Sequence, residues 1–152
     1  MRCTSVVIAD RHPVVLQGLT NVLTAESGFK IVACCSDGTD CIEAIRSLVP
    51  DIAILDISLP GLTGLEILAN SENLSTRLVF FTASVEDREL IVSAAAGAYA
   101  VILKDVALEI LVQSLRQVCL NLREWLFRLV PMVPCWKWMV PGAYSRHGHS
   151  VS

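Results

Sequence analysis

Ile52-Ala53-Ile54-Leu55-Asp56 is a run of four aliphatic side chains that ends without transition on an acid. Pro50 lies before it and Pro60-Gly61 after it, so the run is short enough to be a strand. Its lack of apolar/polar alternation points to a strand covered on both faces. Asp56 then stands at the end of a buried strand, where a carboxylate without a partner is costly. Upstream, Ser5 to Asp10 (SVVIAD) repeats the design: a β-branched run that closes on an acid. Arg11-His12-Pro13 follows, and then an apolar pattern of Val14, Val15, Leu19, Val22 and Leu23. Together these read as a strand feeding a helix, with Pro13 suited to the first turn.

Between these two strands, Lys30 to Cys34 predicts a strand and Gly38 to Leu48 a helix with Cys41, Ile42, Ile45 and Leu48 on one face, stopped at Pro50. After Asp56, the Pro60-Gly61 and Gly64 loop leads into a helix beginning at Leu65, Leu68 and Ala69. Arg77 to Thr82 is a fourth strand, Glu86 to Ala96 a helix, Tyr99 to Leu103 a fifth strand and Val106 onward a fifth helix. Five β/α units with near-continuous apolar strands predict an α/β fold of flavodoxin-like (βα)5 type. It is a three-layer sandwich with a parallel sheet in the order 2-1-3-4-5.

In such a sheet, ligands bind at the carboxyl ends of the strands near the point where strand order reverses. Asp10, Asp56, Thr82 and Lys104 all fall at strand ends. Two carboxylates, a hydroxyl and an ammonium in one crevice suit a hard divalent cation and a phosphoryl group. A carboxylate can itself be the nucleophile and form an acyl phosphate.

The 152 residues leave room for one ordinary domain and a tail. Hydrophobic residues make up 53% and charged residues 18%, with a mean hydropathy of +0.57, which excludes disorder for most of the chain. The net charge of -3 lacks the basic signature of a dedicated nucleic-acid binder. No apolar run is long enough to span a bilayer and Met1 to Arg11 lacks a signal-peptide core, so a cytoplasmic protein with no membrane partner is expected. Six cysteines without a C-x-x-C pair read as reduced, mostly buried thiols. Gly61 to Gly64 lacks the spacing of a dinucleotide loop. Asp56-Ile57-Ser58 lacks the D-x-D of haloacid-dehalogenase-type phosphatases.

Asp10 in the first acidic cluster, Asp56 in IAILDISLPGLTGLE, Thr82-Ala83 and Lys104-Asp105 resemble, in order and spacing, a response regulator receiver domain of two-component systems. The resemblance covers about residues 4 to 118. The segment ADRHPVVLQGL is most similar to the NarL/FixJ (LuxR-type) subfamily. The resemblance implies a phosphoacceptor signalling domain, at most self-phosphorylating and self-dephosphorylating, rather than an enzyme. Asp56 would take a phosphoryl group from a sensor histidine kinase. Asp10, Asp56 and the Ser58 backbone carbonyl would hold Mg²⁺, Thr82 would turn toward the phosphoryl group, and Lys104 would pair with its oxygens or with Asp56. The switch would be read on the fourth helix, fifth strand and fifth helix, to control a partner, dimerisation or transcription, and a homodimer is expected.

Two positions depart from the family pattern. The second acid, usually a metal ligand, is here Arg11, whose guanidinium is expected in the metal site, ion-paired with Asp56. That arrangement would weaken Mg²⁺ binding, or make the chain a phosphorylation-independent pseudo-receiver interaction module. Val101 stands where the family usually has a switching Tyr or Phe. Tyr99, expected by alternation to face the same side as Val101, is not assigned that role.

The receiver is expected over residues 1–118, with a helix extension and Trp/Pro-rich tail over 119–152. The fifth helix is expected to continue through Leu122, Trp125, Leu126 and Leu129 until Pro131 and Pro134. Cys135, His147 and His149 have the wrong spacing for a structural zinc site. The tail is too short for a LuxR-type helix-turn-helix, so DNA binding would require a domain absent from this chain. The tail fits a docking segment of a stand-alone receiver, an interfacial anchor, or the out-of-frame end of a longer regulator. Its abrupt change of composition favours the last.

Overall fold

In the computed structural model, five strands alternate with five helices among the described residues. These are β1 (Thr4–Ala9), α1 (Pro13–Ala25), β2 (Phe29–Cys35), α2 (Gly38–Leu48), β3 (Ile52–Leu55), α3 (Gly64–Ala69), β4 (Arg77–Thr82), α4 (Asp87–Ala96), β5 (Ala100–Leu103) and α5 (Leu108–Cys119). The structure describes residues 3–71, 73–84, 86–105 and 108–119, without the side chains of 87, 90, 91, 94, 95, 108 and 109. The expected extension of α5 beyond Cys119, the tail, and Cys135, His147 and His149 lie outside the described residues.

All four strand pairings are parallel and the order is β2-β1-β3-β4-β5, as the run of β/α units predicts. The order reverses at β1/β3: the chain leaves β1 toward β2 and returns to the other side of β1 as β3. Pleating divides the strand residues between two cores. Val7, Ala9, Ala53, Leu55, Phe80, Val101 and Leu103 pack with α2 and α3 residues Cys41, Ile42, Ile45, Ile67 and Leu68. Val6, Ile8, Ile52, Ile54, Val79, Ala100 and Ile102 pack with Leu19 and Leu23 of α1 and Leu111, Leu115 and Val118 of α5. β3 and β5 are therefore apolar throughout and β1 and β4 apolar in their middles, because both of their faces are covered.

Local signals set the helix ends. Asp37 caps α2 by accepting from the Asp40 backbone N–H at 2.8 Å. Thr63 and Glu66 close a reciprocal capping box on α3, at 3.2 and 3.1 Å. α2 ends on Val49 in the left-handed region, with φ 42°, an unusual conformation for a β-branched residue.

Several expectations shift. Leu48 is 50% exposed although it continues the α2 stripe: it is the last helical residue, and the left-handed Val49 turns the chain away. Val14 of the expected α1 pattern is 82% exposed, in a first turn that begins beyond the sheet. Of the five described cysteines, all free, only Cys35 and Cys41 are buried, with burial foremost in pushing their thiols up to about 11 and about 12. Among the described residues, no helix is long and apolar enough to cross a membrane.

Candidate functional site

The sheet positions four side chains by extending its ladders one residue past the strands. The Asp10 N–H donates to the Cys35 carbonyl at 3.1 Å, the Asp56 N–H to the Ala9 carbonyl at 3.2 Å and the Lys104 N–H to the Thr82 carbonyl at 2.8 Å. Asp10, Asp56 and Lys104 are thus held in register with β1, β3 and β5, and Thr82 is the last residue of β4. Asp10, Asp56 and Thr82 are buried, at 1%, 5% and 3% exposure.

Lys104 Nζ lies 2.7 Å from Asp56 Oδ2 and 2.6 Å from Asp10 Oδ2, so one ammonium bridges two carboxylates. The contact with Asp56 is a hydrogen bond. The contact with Asp10 is close but poorly directed, and Oδ2 of Asp10 is buried without an aligned donor. The other oxygens are engaged from within the chain. Oδ1 of Asp56 accepts from the Ser58 N–H at 3.0 Å, and the Thr82 hydroxyl lies 3.1 Å from it and 3.2 Å from the Ser84 carbonyl. Oδ1 of Asp10 accepts from the His12 N–H at 2.8 Å, with His12 Nδ1 at 3.1 Å.

Burial alone would raise the Asp56 carboxyl. The Lys104 hydrogen bond and charge, with the Ser58 and Thr82 donors, outweigh burial and hold it below the usual 3.8. Burial likewise pulls the Lys104 ammonium down, and its contacts with Asp10 and Asp56 carry it above the usual 10.5. Asp56 is therefore an anion and Lys104 a cation at neutral pH.

Gly64 folds the loop after Asp56 onto the strand end. Its N–H donates to the Ile57 carbonyl at 2.8 Å. A side chain there would put Cβ 2.7 Å from Phe80 Cε1 and 2.8 Å from the Asp56 carbonyl oxygen. Only glycine permits that approach.

The structure brings Asp10, Asp56, Thr82 and Lys104 together and keeps Ser58 beside them through its N–H. Arg11 does not join them. It is exposed, and among the described residues it forms no ion pair with Asp10 or Asp56. Lys104 holds the place between the carboxylates, reaching from β5 past Thr82 of β4 with its four-carbon stem. Val101 is fully buried in the α2/α3 core. Tyr99 packs on the opposite core, with the Arg77 guanidinium 5.6 Å from its ring centre. The alternation expected for Tyr99 fails because β5 starts one residue later, at Ala100. The reading from sequence missed the contacts of His12 and Lys104 with Asp10. The His12-Pro13 pair after the strand was the available signal for the first, and the neighbouring ends of β1 and β3 for the second. Among the described residues, no group of three His, Cys, Asp or Glu side chains could hold a metal.

The response regulator receiver domain family model matches residues 6–116. The nitrate/nitrite response regulator NarL of Escherichia coli K12 is 31% identical over 115 residues, which cover 74% of this chain and 53% of that protein. The response regulator GacA of Pseudomonas aeruginosa is 32% identical over 117 residues, covering 74% and 54%. The chain thus spans about half the length of the curated relatives it matches. Among solved structures, the signal receiver domain of Mycobacterium tuberculosis NarL superposes with a TM-score of 0.75 at 27% identity, covering 78% of this chain and 97% of that one. A DNA-binding response regulator of the LuxR family from Staphylococcus aureus superposes at 0.72 and 28%, covering 76% and 98%. With five parallel strands in the order 2-1-3-4-5 and acids at the ends of β1 and β3, the chain belongs to the response regulator receiver domain family of two-component systems and is akin to the NarL/LuxR-type regulators.

Proposed function

We propose that Asp56 accepts a phosphoryl group from the phosphohistidine of a sensor histidine kinase, and that the changed charge alters the face formed by α4, β5 and α5. The observation that carries this reading is the state of Asp56: a carboxylate 5% exposed, yet held ionised by Lys104, Ser58 and Thr82. A carboxylate nucleophile must be anionic and poorly solvated to attack phosphorus well. One oxygen of Asp56 attacks, the N–P bond of the donor breaks, and the bonding pair remains on the imidazole nitrogen, which takes a proton from water. Lys104 then turns from its carboxylates to the phosphoryl oxygens, and the Thr82 hydroxyl exchanges Asp56 Oδ1 for one of them.

The donor set fits Mg²⁺. Asp10 Oδ2 is a buried carboxylate oxygen without an aligned donor, and Mg²⁺ is commonly held by one or two carboxylates while keeping several waters. Asp10, Asp56 and the Ser58 carbonyl would hold it, and it would neutralise the negative charge that gathers during transfer.

In this reading the receiver occupies residues 1–118, acts in the cytoplasm and homodimerises. By likeness to the DNA-binding Staphylococcus aureus relative, its output is transcription, with DNA contact left to a helix-turn-helix segment outside the receiver. The test is incubation with acetyl phosphate and Mg²⁺ followed by intact mass. The expected result is a single added phosphoryl group, absent from Asp56→Asn. Labelling that persists in Asp56→Asn would refute the assignment.

A further inference from the structure

Arg11 follows Asp10 directly at the carboxyl edge of the sheet, and it is exposed. A guanidinium one residue from a buried carboxylate would ordinarily pair with it, but the inward-facing groups leave no place. Lys104 Nζ lies against Oδ2 of both acids. Asp10 Oδ1 is taken by His12, and Asp56 Oδ1 by Ser58 and Thr82. Among the described residues, Arg11 has no ion-pair partner, so its charge is uncommitted one residue along the chain from Asp10.

Transfer turns the Asp56 monoanion into an acyl phosphate dianion, which adds one net negative charge to a crevice whose two carboxylates are offset by one ammonium. A planar guanidinium matches two phosphoryl oxygens through parallel hydrogen bonds, which is stronger and more directional than a point charge. A cation carried on the residue next to Asp10 also repels a divalent metal and lowers its affinity for the two carboxylates. We propose that Arg11 is a phosphoryl-binding residue that does part of the work of a divalent cation, so that phosphorylation of Asp56 depends only weakly on Mg²⁺. This rests on Asp56 being the phosphoacceptor.

With acetyl phosphate as the donor, a carboxylate oxygen of Asp56 attacks phosphorus, the P–O bond to the acetyl oxygen breaks, and acetate leaves with the bonding pair. No net proton moves. In that step Arg11 binds phosphoryl oxygens of the donor and keeps them as the acyl phosphate forms.

The experiment follows labelling of the full chain by acetyl phosphate with excess Mg²⁺ and with EDTA, in the wild type, Arg11→Lys, Arg11→Met and Arg11→Asp. Mg²⁺ affinity of each protein is measured separately by calorimetry, without any phosphodonor. The wild-type rate in EDTA should lie within about 5-fold of its rate in Mg²⁺, and Arg11→Met should lose roughly 10-fold or more of the EDTA rate. Arg11→Lys should fall between them, because it keeps the charge and loses the two-pronged contact. Arg11→Asp should bind Mg²⁺ about 10-fold or more tightly than the wild type and label only when Mg²⁺ is present. Equal EDTA rates for wild type and Arg11→Met, or a wild type as dependent on Mg²⁺ as Arg11→Asp, would overturn the role of Arg11 and leave Asp56 as the phosphoacceptor. Absence of labelling on Asp56 in every protein and condition would overturn both.

Discussion

The two ends of the sheet are both polar and differ in how their charges are matched. At the amino end, one carboxylate is surrounded by donors. Asp51 Oδ2 accepts from the Ser5 N–H at 2.9 Å and the Ser5 hydroxyl at 3.1 Å, and the Asp51 N–H donates back to Ser5. Thr76 donates to the Pro50 carbonyl at 2.7 Å. Arg77 donates to the last carbonyls of α5 and stacks on Tyr99. At the carboxyl end, two buried carboxylates share one ammonium, and one oxygen of Asp10 lacks an aligned donor. The amino end is built to hold the strands together. The carboxyl end keeps an unbalanced negative charge, and that imbalance is what an incoming cation can relieve.

The comparison is tested most severely at Lys104. In Lys104→Met, Asp10 and Asp56 face each other without a cation, and the loss should be about 3 kcal/mol at neutral pH by urea denaturation. The pH dependence should also reverse. In the wild type the lowered Asp56 value contributes stability that is full above 3.8 and is lost as pH falls through the lower folded value. In the variant only the Ser58 and Thr82 donors still oppose burial, and the facing Asp10 carboxylate adds to it, so the value rises and acidification should restore stability. The raised Lys104 value gives the wild type a second limb, with stability full below 10.5 and lost as pH rises through the higher folded value.

At the other end, Asp51→Ala removes the acceptor of two Ser5 donors and should cost about 1–3 kcal/mol while leaving acetyl phosphate labelling unchanged. Asp56→Asn should behave oppositely. Removing one of two carboxylates that compete for Lys104 should leave stability unchanged or raised by up to about 1 kcal/mol, with labelling abolished. If Asp56→Asn and Asp51→Ala destabilise alike, the two ends do not differ as described. The smallest effect lies away from both sites: Val49→Gly should gain about 0.5 kcal/mol by relieving the left-handed backbone, measured as a rise in Tm.

The fold was legible because each strand is an uninterrupted aliphatic run between turn residues. Ile52 to Asp56 could be read as a doubly covered strand, and the bounds of α2 and β4 follow from Gly38, Pro50 and Thr82. The four chemical groups were legible because they sit at strand ends, which topology gathers. Contacts that depend on side-chain reach were legible only in part: the pairing of Lys104 with Asp56 was expected, its contact with Asp10 was not. Arg11 is nearer to Asp10 along the chain than Lys104 is, and proximity in sequence suggested that it fills the crevice. Lys104 fills it because the end of β5 aims its stem across Thr82, a direction that spacing does not encode. Leu48 and Tyr99 failed for a related reason: each lies at the terminus of an element, where periodicity stops describing the environment.

The most direct test of the central claim is to locate the phosphoryl group chemically. After acetyl phosphate treatment, borohydride reduction converts an aspartyl phosphate to homoserine, and peptide sequencing by tandem mass spectrometry places it. The expected result is homoserine at position 56 alone, with Asp10 and Asp51 unmodified. Homoserine at position 10 or 51, or labelling of Asp56 that proceeds equally well when acetyl phosphate is added to protein already unfolded in urea, would contradict the account.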